Sequence, residues 1–167
     1  NFEEDYTGNT LQGSYIGGVY YPDKTKVGWW KNGYPEYFAK VLNAPSWIGL
    51  HIRINGQLLD LNTCKEVKHF RRQLNMQEGW YLRSFVAVLP NGEEIQVEVL
   101  RLLFMRFDKI GAFRYEITPL TTSANIEIET YLDSGIKNSD ANWDELFWNT
   151  LEMDTFRNFG YIGAETK

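Results

Sequence analysis

A chain of 167 residues is long enough for one domain with a sizeable core, since at this size folding buries about 70% of the surface the unfolded chain exposes. Hydrophobic residues make up 43% and aromatic residues 16%, which excludes a disordered polypeptide. The net charge of −5, from 17 basic and 22 acidic residues with no basic run, removes the electrostatic basis for a nucleic-acid groove, and no stretch approaches the ~20 apolar residues of a membrane helix.

In chain order, residues 1–6 lack the basic n-region and apolar core of a signal peptide. Tyr15-Ile16-Gly17-Gly18-Val19 reads as a glycine-broken strand. Residues 21–47 show neither helical nor strand period and are expected to form one long loop, a feature that in a compact domain is usually functional. From Ile48 the pattern changes. Ile48, Leu50, Ile52 and Ile54 alternate with Gly49, His51 and Arg53, as a half-buried strand requires, and Asn55-Gly56 supplies the positive-φ pair of a hairpin turn. The return strand spans Gln57 to Leu61. Cys64, the single cysteine, allows no internal disulfide and is expected to be a structural thiol. A strand from Val67 to Met76 places Phe70, Leu74 and Met76 on one parity. Trp80 to Leu89 leads through Pro90-Asn91-Gly92 into a strand with Ile95, Val97 and Val99 on one face. Phe113, Tyr115 and Ile117 form another such row, and Ile126 and Ile128 a third. Near the end, Trp143, Leu146, Phe147 and Leu151 fit helical spacing behind Asp140 or Asn142 as a cap, while Phe147 to Met153 fits a strand equally well. Period two with short turns predicts an all-β antiparallel sandwich whose interior takes Ile48, Leu50, Ile52, Ile54, Ile126 and Ile128, with Arg53, Glu127 and Glu129 outside.

The densest chemical signal lies in residues 28–38. Trp29, Trp30, Tyr34 and Tyr37 offer rings, and Lys31, Asn32 and Glu36 offer directional hydrogen bonds. This composition suits docking to another domain or subunit, where Trp and Tyr anchors are enriched. It also suits sugar contact, because aromatic faces stack on pyranose C–H faces, and packing within the domain remains a third reading. Glu127 and Glu129 share a strand face, but a solvated face accounts for them, as solvated charge does for Glu3, Glu4 and Asp5. His51 and His69 have no carboxylate or serine placed by a local motif to orient them as bases. No phosphate-cradling loop, nucleophile elbow or metal-ligand spacing is present in the sequence.

The stretches Phe2-Glu3-Glu4-Asp5-Tyr6, Gly13 to Tyr20, Tyr21-Pro22-Asp23-Lys24-Thr25 and Gly28 to Phe38 resemble the N-terminal domain of glycoside hydrolase family 65. Ile52-Arg53-Ile54-Asn55-Gly56, Leu74-Asn75-Met76, Arg83-Ser84-Phe85 and Asn142 to Trp148 look like the same domain continuing. The resemblance implies a supersandwich of the galactose-mutarotase-like type, truncated here because the family's pattern places an Asn-Gly segment just before Phe2. Residues 1–167 would then be an N-terminal fragment of a larger cytoplasmic enzyme whose active site lies in an α/α barrel. The implied parent is an inverting disaccharide phosphorylase, a homodimer in which inorganic phosphate attacks an α-linked glucose disaccharide and a single carboxylic acid protonates the leaving oxygen. That acid belongs to the barrel, so no catalytic residue, metal or cofactor is assigned to this chain, and the isolated chain is expected to be inactive. For Phe147 to Met153 the resemblance favours the strand. Two other functions fit the same residues: a carbohydrate-binding module that uses the aromatic loop, and a mutarotase-type epimerase, which would need His51 or His69 within reach of a Glu in one concave pocket.

Overall fold

The structure, a computed structural model, describes residues 13–26, 28–121, 123–139, 141, 143 and 145–167, without the side chains of Trp29 and Trp30. The acidic cluster Glu3, Glu4 and Asp5 and the candidate caps Asp140 and Asn142 lie outside the described residues. Eleven strands run among the rest: β1 (Tyr15–Lys24), β2 (Tyr37–Asn43), β3 (Ser46–Ile54), β4 (Gln57–Leu58), β5 (Glu66–Asn75), β6 (Trp80–Val88), β7 (Glu94–Leu103), β8 (Gly111–Pro119), β9 (Ile126–Asp133), β10 (Trp148–Phe156) and β11 (Phe159–Thr166). Every pairing is antiparallel, and the late window is strand rather than helix from Trp148 onward.

Two sheets make the sandwich, one ordered β4-β3-β9 and the other β5-β6-β7-β8. Between them lie Leu50, Ile52 and Ile54 from β3, Phe85 and Ala87 from β6, and Ile95, Val97 and Val99 from β7, each at most 3% exposed. Burying one such aliphatic side chain contributes about 1.5–3 kcal/mol before conformational entropy is counted. The turns are those the sequence specifies: Asn55 and Gly56 both have positive φ, 50° and 81°, and Gly92 at φ 90° closes the β6–β7 hairpin by donating its N–H to the Leu89 carbonyl.

The structure corrects the expected interior at β9. Ile128 stands in register with Ile52 and so on the core-facing side, yet it is 55% exposed, and Leu132 on the same side is 41% exposed. β9 is the terminal strand of its sheet among the described residues, whereas Ile52 is flanked by β9 on one side and on the other by Leu59, whose N–H donates to the Ile52 carbonyl. Ile126 packs against the core. Arg53, Glu127 and Glu129 are exposed, as the alternation requires. Phe70 on β5 stacks on Phe85, but Leu74, next to the last residue of β5, and Met76, in the turn just past it, are 65% and 86% exposed.

Within the expected loop over residues 21–47, the stretches 21–24, 37–43 and 46–47 are strand. β1 and β2 pair from Lys24↔Tyr37 outward, leaving residues 25–36 as the connection. Their alternation is hidden for two reasons. The Gly17-Gly18 segment shifts the register, with Gly18 at φ 83°, and a two-stranded ribbon buries too few residues to separate an inside row from an outside row.

A buried amide pair joins this ribbon to the rest. Asn138 accepts the Asn43 backbone N–H at 2.8 Å and donates from Nδ2 to the Val41 carbonyl at 2.8 Å. The Asn43 side-chain oxygen accepts from Ser14 N at 2.8 Å, and its carbonyl accepts Trp148 Nε1 at 2.9 Å. Four segments thereby meet at two residues that are 5% and 8% exposed.

Candidate functional site

The aromatic segment forms the tip of the β1–β2 hairpin. Trp29–Asn32 make one turn of 3-10 helix, bracketed by Gly28 and Gly33 at φ 91° and 86°, a conformation any side chain would strain. The base of the tip is clamped. Thr25, fully buried, donates its backbone N–H to the Glu36 carbonyl at 2.9 Å, and its hydroxyl lies 3.1 Å and 3.0 Å from the Pro35 and Glu36 carbonyls. Asp23, 1% exposed, pairs with Lys40 at 3.6 Å. Beyond the clamp, Lys31, Asn32, Tyr34, Glu36 and Tyr37 all face solvent, with Tyr34 edge-on to Phe38 at 6.4 Å. Trp29 and Trp30 are placed in the helical turn by their backbone alone. Lys31, Asn32, Tyr34, Glu36 and Tyr37 are thus exposed on one anchored hairpin tip.

The two histidines part company. His69 is exposed at the β5 bulge with φ 53°, where its contribution is to backbone geometry. His51 has the carboxylate the sequence motifs did not reveal: its Nδ1 lies 3.2 Å from Glu129 Oε2, and its ring rests on Tyr131 at 4.8 Å. The partner comes from β9, 78 residues away, delivered by the His51↔Glu129 register; no local motif could have announced it. The pair faces solvent, with side chains 45% and 68% exposed. Glu127 accepts a hydrogen bond from Asn125 Nδ2 at 3.3 Å on the same outer face.

Two concavities flank Trp47. One, of about 850 Å3, runs between β9 and the β10–β11 hairpin and is lined by Trp47, Phe113, Glu129, Tyr131, Asp154 and Tyr161 among others. The other, of about 830 Å3, includes Ser14, Tyr15, Arg101, Asp108, Lys109 and Trp148. Burial pulls the Arg101 guanidinium below its ordinary range, with Tyr115 acting the other way, and the cation lies over the Tyr81 ring at 5.7 Å. Burial, and secondarily Asp60, pushes the Cys64 thiol above its ordinary range, so it is a poor nucleophile at neutral pH. Among the described residues no group of three or more His, Cys, Asp or Glu side chains could hold a metal ion, and no helix is long and apolar enough to cross a membrane.

Comparison with known proteins places this architecture. The profile of the glycosyl hydrolase family 65 N-terminal domain matches residues 1–167. A maltose phosphorylase from Bacillus subtilis (strain 168) is 40% identical over 166 residues, which cover 99% of this chain and 22% of that protein. A kojibiose phosphorylase from Caldanaerobacter subterraneus subsp. tengcongensis is 28% identical over 138 residues, 83% of this chain and 16% of the relative. Among solved structures, a human-microbiome protein assigned provisionally as a kojibiose phosphorylase superposes with a TM-score of 0.74 at 23% identity, over 96% of this chain and 21% of that one. The chain therefore spans about a fifth of the length of these relatives.

Proposed function

The chain belongs to glycosyl hydrolase family 65, whose N-terminal domain it is, and from that premise we propose that it serves as the non-catalytic docking domain of an inverting disaccharide phosphorylase of the maltose phosphorylase type. In this reading the parent is a cytoplasmic homodimer that uses inorganic phosphate to open an α-linked glucose disaccharide, yielding β-glucose 1-phosphate and a free sugar. Phosphate fills the place of the water in an inverting hydrolase, so one carboxylic acid suffices to protonate the departing oxygen. The acid and the phosphate site sit in an α/α barrel outside this chain, and the domain's task is to bind that barrel or a second subunit and to shape the entrance to the active site.

The observation that carries the reading is the clamped aromatic tip. Tyr34 and Tyr37 are 54% and 48% exposed although the backbone beneath them is fixed by the buried Thr25 and Asp23. Large rings held out at low entropic cost are what an interface anchor needs, and Lys31, Asn32 and Glu36 around them would fix the docking geometry.

The test is Tyr34→Ala/Tyr37→Ala in a protein of the relatives' length that carries this domain. Assembly, measured by light scattering coupled to size exclusion, should fall by at least tenfold in association constant, with activity falling in step. The chain by itself should release no glucose 1-phosphate from maltose and phosphate. A double variant that stays assembled but binds disaccharide more weakly would overturn the docking reading.

A further inference from the structure

We propose that the groove between β9 and the β10–β11 hairpin is a saccharide-binding site of this domain. It shares no lining residue with the aromatic tip, so the proposal stands independently of the docking reading. Its volume of about 850 Å3 lies within the range of pockets that hold small ligands.

One wall is a shelf of rings. Phe159 and Tyr161 are two residues apart on β11 and so share a face, with centroids 6.1 Å apart and planes inclined by 33°. They are 65% and 39% exposed, and side by side they offer stacking surface to two pyranose rings in series. Asp154 stands directly opposite Tyr161 in the β10–β11 register, which sets a carboxylate beside that ring. Asn158, in the turn, adds an amide that both donates and accepts.

The facing wall is pre-set. Tyr131 lies across Gly49, and a Cβ there would come within 2.5 Å of the Tyr131 ring, so the glycine is what lets the ring lie flat on the sheet. His51 packs on the same ring at 4.8 Å and holds Glu129 at 3.2 Å, which turns a flexible carboxylate into an oriented acceptor.

The chemistry selects the ligand class. A purely apolar ligand would desolvate Glu129 and Asp154 without giving them partners, at a cost of kilocalories. An anion would meet those two carboxylates on a chain of net charge −5; Arg157 also lines the groove, with its guanidinium set over the Phe156 ring. A neutral sugar matches both demands, with apolar C–H faces for the rings and hydroxyls to donate to the carboxylates.

The experiment is calorimetric and fluorescence titration of the chain Asn1–Lys167 with maltose, with glycerol and inorganic phosphate as controls; Trp47 in the groove wall is the fluorescent reporter. Maltose should bind saturably with a Kd on the order of 1 mM or tighter, and the controls should not. Tyr161→Ala and Asp154→Asn, both at exposed positions, should each weaken binding by about tenfold or more with an unchanged circular dichroism spectrum, and Tyr34→Ala/Tyr37→Ala should leave it intact. Absence of saturable maltose binding, wild-type affinity in both groove variants, or loss of binding in the Tyr34/Tyr37 variant would each overturn the proposal.

Discussion

Gly49 sits in a strand at ordinary negative φ, so its importance comes from space rather than backbone freedom. A methyl group there meets the Tyr131 ring at 2.5 Å and the Tyr131 backbone oxygen at 2.6 Å, and the second of these cannot swing aside without moving β9. Gly49→Ala should therefore destabilise the chain by about 1–3 kcal/mol, read as a lower urea midpoint at unchanged m-value. A variant as stable as the wild type would mean that β9 shifts freely against β3. Arg83 makes a second point at this scale. It is fully buried with its guanidinium 5.3 Å from the Phe85 ring, and its β6 neighbours gave no sign that an arginine would take a core position. Sequence alternation assigns a face to a residue; it does not say how deep that face lies.

At the scale of elements, β3 and β9 carry the same pattern with different consequences. Ile52 and Ile128 are cross-strand partners, 1% and 55% exposed. Ile52→Ala should cost about 2–5 kcal/mol and Ile128→Ala no more than about 0.5 kcal/mol, measured on the same denaturant curves. Equal losses would show that β9 is covered after all. β3, β5, β6, β7, β8 and β9 are all legible from sequence as alternating rows, most plainly where one face meets the core and the other solvent. Of β1 only the part from Tyr15 to Val19 is legible, and β2 is not, for want of that contrast, while at β10 the resemblance rather than periodicity decides between helix and strand, since Leu151 and Met153 are exposed at 62% and 68% and carry no burial signal at all. The aromatic tip was legible because its composition is unusual over eleven consecutive residues. The groove was not, because its walls come from β9, β10 and β11, with Trp47 of β3 and Phe113 of β8, which meet only in the folded chain.

Across the whole molecule, contacts differ sharply in how far along the chain they reach. The sheet β5-β6-β7-β8 is a meander of successive hairpins, whereas the Asn43–Asn138 pair spans 95 residues and the Asn43–Trp148 bond spans 105. Loop-closure entropy must be overcome before distant contacts give anything back, which assigns these two parts different places in time. The meander should be structured in the folding transition state, and the amide hub should close after it, as the latch that joins the β1–β2 ribbon and the start of β10 to a sandwich already formed. Asn138→Ala should then cost about 1–3 kcal/mol from the unsatisfied groups it leaves and express that loss as faster unfolding, with the folding rate nearly unchanged and a φ-value below about 0.3. Stopped-flow chevrons decide it: a φ-value near 1 would place the hub in the nucleus and reverse the order of assembly.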